Sequence, residues 1–243
     1  MLFVVTLLFT AGLVNAAELR IIAPNGVKET ITEIASRYER ATGFRVVLSW
    51  AGTEAISKQI NDGSIFDVVV NASQSIDKFE KEGKLVSGSR LDFAKSAIGV
   101  AVRAGHPRAD ISSIDALKQL ILQAKLIAIS SGTSGRYLAE LLQRLGIYEQ
   151  IKDRIKQPPS GTQIGEMLAN GEVDLGFQQI SELIHVKGIV YLGPLPSEIQ
   201  SITVYSAGVH SAASTPTAAM TFLKMLTAPD FGTFIRKTGM EPA

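Results

Sequence analysis

Leu126-Ile127-Ala128-Ile129-Ser130-Ser131-Gly132-Thr133-Ser134-Gly135-Arg136-Tyr137-Leu138-Ala139-Glu140-Leu141-Leu142 reads as a strand, a small hydroxyl-rich turn and a helix in immediate succession. The helical pattern runs from Tyr137 to Leu145. The first N–H groups of a helix have no intrahelical acceptor, so such a turn can cradle an anion. Glycines let the backbone come close and hydroxyls add donors, while Arg136 could add a full positive charge. Ser and Thr in the same place also act as ordinary N-caps. The turn lacks the lysine and the spacing of a G-x-x-x-x-G-K-[ST] loop, which argues against a nucleotide.

Outward from this unit, short apolar runs alternate with helical periodicity, the pattern of an α/β fold with crossover helices. Before it, strands are expected at 19–23, 44–48 and 66–70, with helices at 27–40, 54–60 and from 74. A further strand, 97–102, carries Gly99 in its middle. After it come helix 162–170, strands 174–177, 188–192 and 202–208, and terminal helices 216–226 and 229–237, with another helix at 114–124 ahead of it. Two similar βα series joined by long strands imply two lobes that hinge about crossover segments near 96–101 and 198–206, with a single continuous sheet as the alternative. The division expected is 17–97 with 199–243 for lobe I and 98–198 for lobe II.

In parallel sheets, ligands collect beyond the carboxyl ends of strands. The loops expected there share one chemistry: Pro24-Asn25-Gly26-Val27, Ser49-Trp50-Ala51-Gly52-Thr53, Asn71-Ala72-Ser73-Gln74, Ser130 to Arg136, Pro159-Ser160-Gly161-Thr162 and Gln178-Gln179-Ile180-Ser181. None carries Asp or Glu before its helix, although helix starts favour carboxylates. A cleft kept free of negative charge suits an anionic ligand, while tight turns alone would also favour small residues. Expected ligand-contacting residues are Asn25, Gly26, Trp50, Gly52, Thr53, Ser131, Gly132, Thr133, Ser134, Arg136, Gly161, Thr162, Gln178 and Gln179. Trp50 could wall the cleft or pack at the lobe junction. Arg136 could hold a carboxylate or lie on a solvated helix face.

Residues 2–17 form an uncharged apolar run ending in small residues, too short for a span of about 20 residues. With Val14-Asn15-Ala16 at its end it reads as an export leader over 1–16, lacking a basic start, and places the mature chain in the periplasm. A formal net charge of +1 with no charge runs excludes nucleic acid as the expected partner. The chain has no Cys, so disulfides, thiolate catalysis and zinc–sulfur sites are excluded. His106, His185 and His210 stand in no metal-ligand spacing, and neither a metal nor a cofactor is expected.

The ordered set 19–23, Tyr38-Glu39-Arg40-Ala41-Thr42-Gly43-Phe44-Arg45-Val46, 60–70, Phe93-Ala94-Lys95-Ser96-Ala97-Ile98-Gly99-Val100, Gly171-Glu172-Val173-Asp174-Leu175-Gly176 and Thr238-Gly239-Met240-Glu241-Pro242 resembles the periplasmic molybdate-binding proteins of ABC importers. The resemblance covers essentially the whole mature chain. It implies a two-lobed type II periplasmic-binding fold, each lobe a mixed, mostly parallel sheet flanked by helices, with the terminal helices returning to lobe I. It also implies a monomer that delivers a small anion to an importer permease. The family's oxyanion-contacting serines fall on Asn25 and on Gly52 or Thr53, its backbone donors near Ser131 to Gly135 and Gly161 to Thr162, and its late tyrosine on Gln179. Asn25 and Gln179 are departures: an amide offers an acceptor that a fully deprotonated oxyanion cannot use. That points towards an organic carboxylate. A relative with the same likeness, aconitate isomerase, is an enzyme, and its proton transfer would need a general base. Near these loops the sequence offers Lys28, Glu29 and Glu54 for that role.

Overall fold

The computed structural model describes residues 18–243, so the expected leader at 1–16 lies outside the described residues. The first half is built from β1 (Glu18–Pro24), α1 (Lys28–Thr42), β2 (Arg45–Ala51), α2 (Thr53–Asn61), β3 (Val68–Ala72) and α3 (Ser73–Lys81). β1 runs parallel to both β2 and β3, with Ile22 opposite Ser49 on one side and Val69 on the other. All five residues of β3 are buried, as expected of a strand covered on both faces. α1 turns Ile31, Ile34, Ala35 and Tyr38 inward at helical spacing and stops at Gly43.

β4 (Leu91–Arg103) then carries the chain from one half of the sheet to the other. It is six residues longer at its start than the apolar run 97–102 indicated, because Leu91–Ala97 pair with a strand from the far end of the chain. The second half follows as α4 (Ile114–Gln123), β5 (Ile127–Ile129), α5 (Thr133–Arg144), α6 (Tyr148–Ile151), β6 (Ile155–Lys156), α7 (Ile164–Ala169), β7 (Leu175–Gln179), α8 (Ile180–Leu183) and β8 (Ile189–Pro194). β9 (Ile202–Val209) returns to the first half, where α9 (Pro216–Leu226), α10 (Gly232–Lys237) and β10 (Glu241–Pro242) finish the chain. The strand order is β2-β1-β3-β9-β4-β7-β5-β6, with β8 and β10 also paired to β4.

β4 changes partners between Ala97, opposite Ile202 of β9, and Ile98, opposite Gln179 of β7. Gln200 pins this crossing: its Oε1 accepts from Ile98 N at 2.9 Å and its Nε2 donates to Ile98 O at 3.1 Å. Each half has its own apolar core. In the first, Tyr38 meets Phe222 edge-on at 5.5 Å and donates to Ala218 O, so the terminal helices pack on α1. In the second, Val100, Ile127, Leu138, Leu142 and Phe177 lie together.

α5 begins at Thr133, four residues before the expected Tyr137. Ser134 and Gly135 are poor helix formers, but tertiary packing overrides them. A Cβ on Gly135 would lie 1.6 Å from Ser130 O, so only glycine lets this first turn rest on the end of β5. α6, β6 and β10 are too short to leave a periodic signal.

Asp67, 2% exposed, holds this frame from below. Burial raises its pKa, but donation from Arg20 N, Thr215 N and Ser214 Oγ outweighs burial and leaves it low. A depressed carboxyl stabilises above its ordinary pKa and loses that contribution as pH falls through the lowered one. Asp67→Asn is therefore expected to destabilise by about 1–3 kcal/mol at neutral pH, with the deficit shrinking in acid. Denaturant melts at neutral and acid pH check it, and equal deficits at both would contradict the assignment.

Candidate functional site

The loops after β1, β2 and β5, the 159–162 turn and the end of β7 converge on one cavity between the halves. Around it the two halves touch directly. Asn25 Nδ2 donates to Gly161 O at 2.8 Å, Ser181 Oγ donates to Gly26 O at 2.7 Å, and Thr133 N donates to Thr53 Oγ1 at 3.3 Å. Gly161 has φ +94°, which the tight 159–162 turn needs. Gly52 lies so close that a Cβ there would meet Ser160 Oγ at 2.1 Å and Gly161 N at 2.7 Å. α2 and α5 both start at glycine N-caps, Gly52 and Gly132, with no side-chain cap. The first-turn amides of α2 thus lie at the cavity rim as donors, whereas in α5 Thr133 N and Gly135 N are already taken by Thr53 Oγ1 and Ser130 Oγ.

Of the expected residues, Asn25, Gly26, Gly52, Thr53, Ser131, Gly132, Thr133 and Ser134 line the cavity, as do Gly161, Thr162, Gln178 and Gln179. Trp50 and Arg136 do not. Trp50 is half-buried against the first core, with Lys28 Nζ 5.9 Å from its ring centroid. Arg136 pairs instead with Glu54 of α2, a bridge between the halves across the outer rim. The loop after β3 is also set back: Asn71 Nδ2 donates to Thr53 O and Ser57 Oγ, bracing α2.

The amides expected to face a ligand are largely engaged with the protein. Gln178 Oε1 accepts from Ile164 N at 2.9 Å, which forces its Nε2 towards Thr162 O and towards Glu182 Oε1 at 2.9 Å. Gln179 is 3% exposed; its oxygen accepts from Thr203 Oγ1 at 2.8 Å and its nitrogen donates to Ser96 and Ala97, at the strand crossing. What remains free is hydroxyl: Ser131 Oγ and Ser160 Oγ line the cavity, are buried, and have no partner. An unpaired buried hydroxyl costs about 1–3 kcal/mol, which a ligand oxygen would recover.

Two titratable groups in the wall escaped the sequence reading. Glu182 sits four residues beyond Gln178, in the short α8 that follows β7, and Tyr205 lies on β9. Burial pushes Glu182 up to about 8, against only a modest opposing pull from Gln178. Burial, and then the neighbouring Glu182, push Tyr205 well above the usual phenol range. Among the described residues no Lys, Arg or His lines this cavity, and no group of His, Asp and Glu could hold a metal ion. The step from Gln178 at the end of β7 to Glu182 in α8 crosses from strand to helix and leaves no periodic signal in the sequence, and Tyr205 could be placed only by the sheet order.

Residues 19–241 match the family model described as bacterial extracellular solute-binding protein. The chain belongs to that family. Within it, this solute-binding protein is 34% identical over 230 residues to an aconitate isomerase of a Pseudomonas species, covering 92% of this chain and 87% of that protein. It is 26% identical over 171 residues to a molybdate-binding protein of Azotobacter vinelandii, covering 70% of this chain and 67% of that one. The solved structure of a periplasmic molybdate-binding protein from Azotobacter vinelandii superposes with a TM-score of 0.77 at 22% identity, covering 91% of this chain and 98% of the other. The architecture of this solute-binding protein is thus the two-lobed type II periplasmic-binding fold, in a divergent molybdate-binding-like member.

Removing the rim bridge of the solute-binding protein should have a small effect. Arg136 and Glu54 are 57% and 42% exposed, and exposed pairs contribute about 0–1 kcal/mol. Arg136→Ala is expected to change ligand affinity less than about fivefold, the loss shrinking in high salt. Calorimetry at two ionic strengths checks this, and near-complete loss of binding would place Arg136 on the ligand after all.

Proposed function

We propose that this solute-binding protein is exported to the periplasm, captures a small organic anion between its lobes as a monomer, and delivers it to the permease of an ABC importer. The lobes that open and close are 17–97 with 199–243 and 98–198. The observation that carries the reading is the pair of buried, partnerless hydroxyls, Ser131 Oγ and Ser160 Oγ, facing a cavity beside the starts of α2 and α5. Neutral donors of this kind hold an anion without a counter-cation. An organic carboxylate is favoured over a bare oxyanion because the wall also carries Glu182, whose carboxyl can both donate and accept when protonated.

A thermal-shift panel of trans-aconitate, cis-aconitate, citrate, molybdate, tungstate, sulfate and phosphate tests the reading. A ligand present at about a hundred times its Kd adds about 2.7 kcal/mol, a shift of several degrees for a chain of this size. One of the polycarboxylates should produce it. A response confined to molybdate and tungstate would overturn the organic-anion assignment, and no response across the panel would count against anion capture.

A second reading rests on Glu182 together with the similarity to an aconitate isomerase. A carboxyl pushed up to about 8, in a cavity that a phenol also lines, is in its ionised form a base strong enough to take a proton from one carbon of an unsaturated tricarboxylate and return it to another. Such an enzyme interconverts cis- and trans-aconitate with no added cofactor. A flat absorbance trace from a preparation shown to bind aconitate would exclude it.

A further inference from the structure

Glu182 is held in a way that its role as a mere wall residue does not explain. Gln178 reaches its Oε1 with an N–H whose direction is dictated by Ile164 N on the other end of the amide. Glu182 has no ion-pair partner among the described residues, since His185 pairs with Glu29 at 3.6 Å and Arg136 with Glu54. Its second oxygen receives no hydrogen bond from the protein. The same residue also lines a second cavity, of about 260 Å³, that shares Asn25 and Gly26 with the first; we term the first the front cavity and the second the rear cavity. Glu182 therefore stands as a partition between the anion cavity and this polar rear space.

The groups that face it are known from every side. Tyr205 comes from β9, Gln178 from β7, Lys28 and Glu29 from the start of α1, Glu166 from α7, and His185 from just beyond α8. Lys28 lies over the Trp50 ring and His185 is turned to Glu29, so neither neutralises Glu182. An anion entering the front cavity beside an ionised carboxylate would set like charges together with little water between them, which is strongly unfavourable.

We propose that Glu182 is protonated when the cleft is loaded and donates its O–H to an oxygen of the ligand, so that this protein captures its anion together with one proton. This rests on the reading of the cavity as an organic-anion site. The rear cavity lets the carboxyl exchange its proton with solvent while the loops meet in front. Burial, which holds the free carboxyl at about 8, leaves most of the population already protonated near neutrality. Uptake of the proton on binding is then largest in mildly alkaline solution.

Two measurements test it, on wild type and on Glu182→Gln, whose amide keeps a donor and loses the titration. Infrared spectra near pH 7, of the free and of the trans-aconitate-loaded protein, should show a protonated-carboxyl band that Glu182→Gln lacks; a loaded wild type with no such band overturns the proposal. Calorimetry with trans-aconitate as probe, in two buffers of different ionisation enthalpy, should show uptake approaching one proton per ligand near pH 9 in wild type and none in Glu182→Gln. Wild-type affinity should fall about tenfold per pH unit above about pH 8, while the variant stays flat. Binding without proton uptake, or identical pH profiles for the two proteins, also overturns it. If trans-aconitate gives no heat with either protein, the organic-anion reading fails on that result, while the infrared band still decides whether Glu182 holds its proton.

Discussion

Gly52→Ala weakens ligand capture by about a hundredfold while leaving both halves folded. The added Cβ would stand 2.1 Å from Ser160 Oγ and 2.7 Å from Gly161 N. The hydroxyl can rotate away, but the backbone N–H cannot, so the two loops must separate by the better part of an ångström. That separation breaks the neighbouring contacts of Asn25 with Gly161 and of Thr53 with Thr133, and it spreads the donors that must converge on one ligand. Overpacking of this kind costs about 1–3 kcal/mol, and here the cost falls on the closed arrangement alone because the clash joins one half to the other. Titration calorimetry against the ligand found in the thermal-shift panel, with circular dichroism melts as a control, measures both parts. An affinity within about threefold of wild type would mean that the loops do not meet this closely when ligand is bound.

Glu182→Gln raises the melting temperature of the free protein at alkaline pH. The carboxyl has an ordinary value of 4.5 and is pushed by burial to about 8 in the folded chain. Folding therefore retains a proton that the unfolded chain gives up between those two values. The contribution of the protonated group is complete below about pH 4.5, declines as pH rises, and has gone above about pH 8. An amide has nothing to ionise, so the variant and wild type converge in acid and separate with rising pH. The separation should reach about 2–4 kcal/mol near pH 8, a shift of about 5–10 °C for a chain of this length. Calorimetric melts at about pH 5 and pH 8 decide the matter, since a gap of equal size at both would show that Glu182 titrates normally in the folded protein.

Much of this architecture is legible in the residues. The apolar runs around Ile21, Val69, Ile127 and Phe177 became strands, and the helical spacing of Ile31, Ile34, Ala35 and Tyr38 became a buried face, because burial of one face is what these patterns encode. Seen as separate turns, the small residues at Gly52, Gly132 and Gly161 are compatible with capping or with a ligand. The sheet order brings them to a common cavity. α5 starts four residues before its periodic pattern because Ser134 and Gly135 disfavour helix locally, and only the close approach to Ser130 shows why glycine is required.

The functional side chains were harder to read, for a physical reason. Whether Arg136 meets a ligand or Glu54 depends on where the other half of the molecule lies, and Glu54 is 82 residues away. Trp50 and Gln179 are decided in the same way, one by the first core and the other by Thr203 and the strand crossing. Glu182 and Tyr205 are ordinary residues in the sequence, and become unusual only when the fold buries the phenol and partly covers the carboxyl beside it. Local patterns of polarity determined the elements, the class of fold and the scarcity of acids at the loops, since those depend on neighbours along the chain. The identity of the cavity wall, the engagement of its amides and the elevated carboxyl within it were settled by tertiary structure, because desolvation and hydrogen-bond partnership are properties of what is near in space.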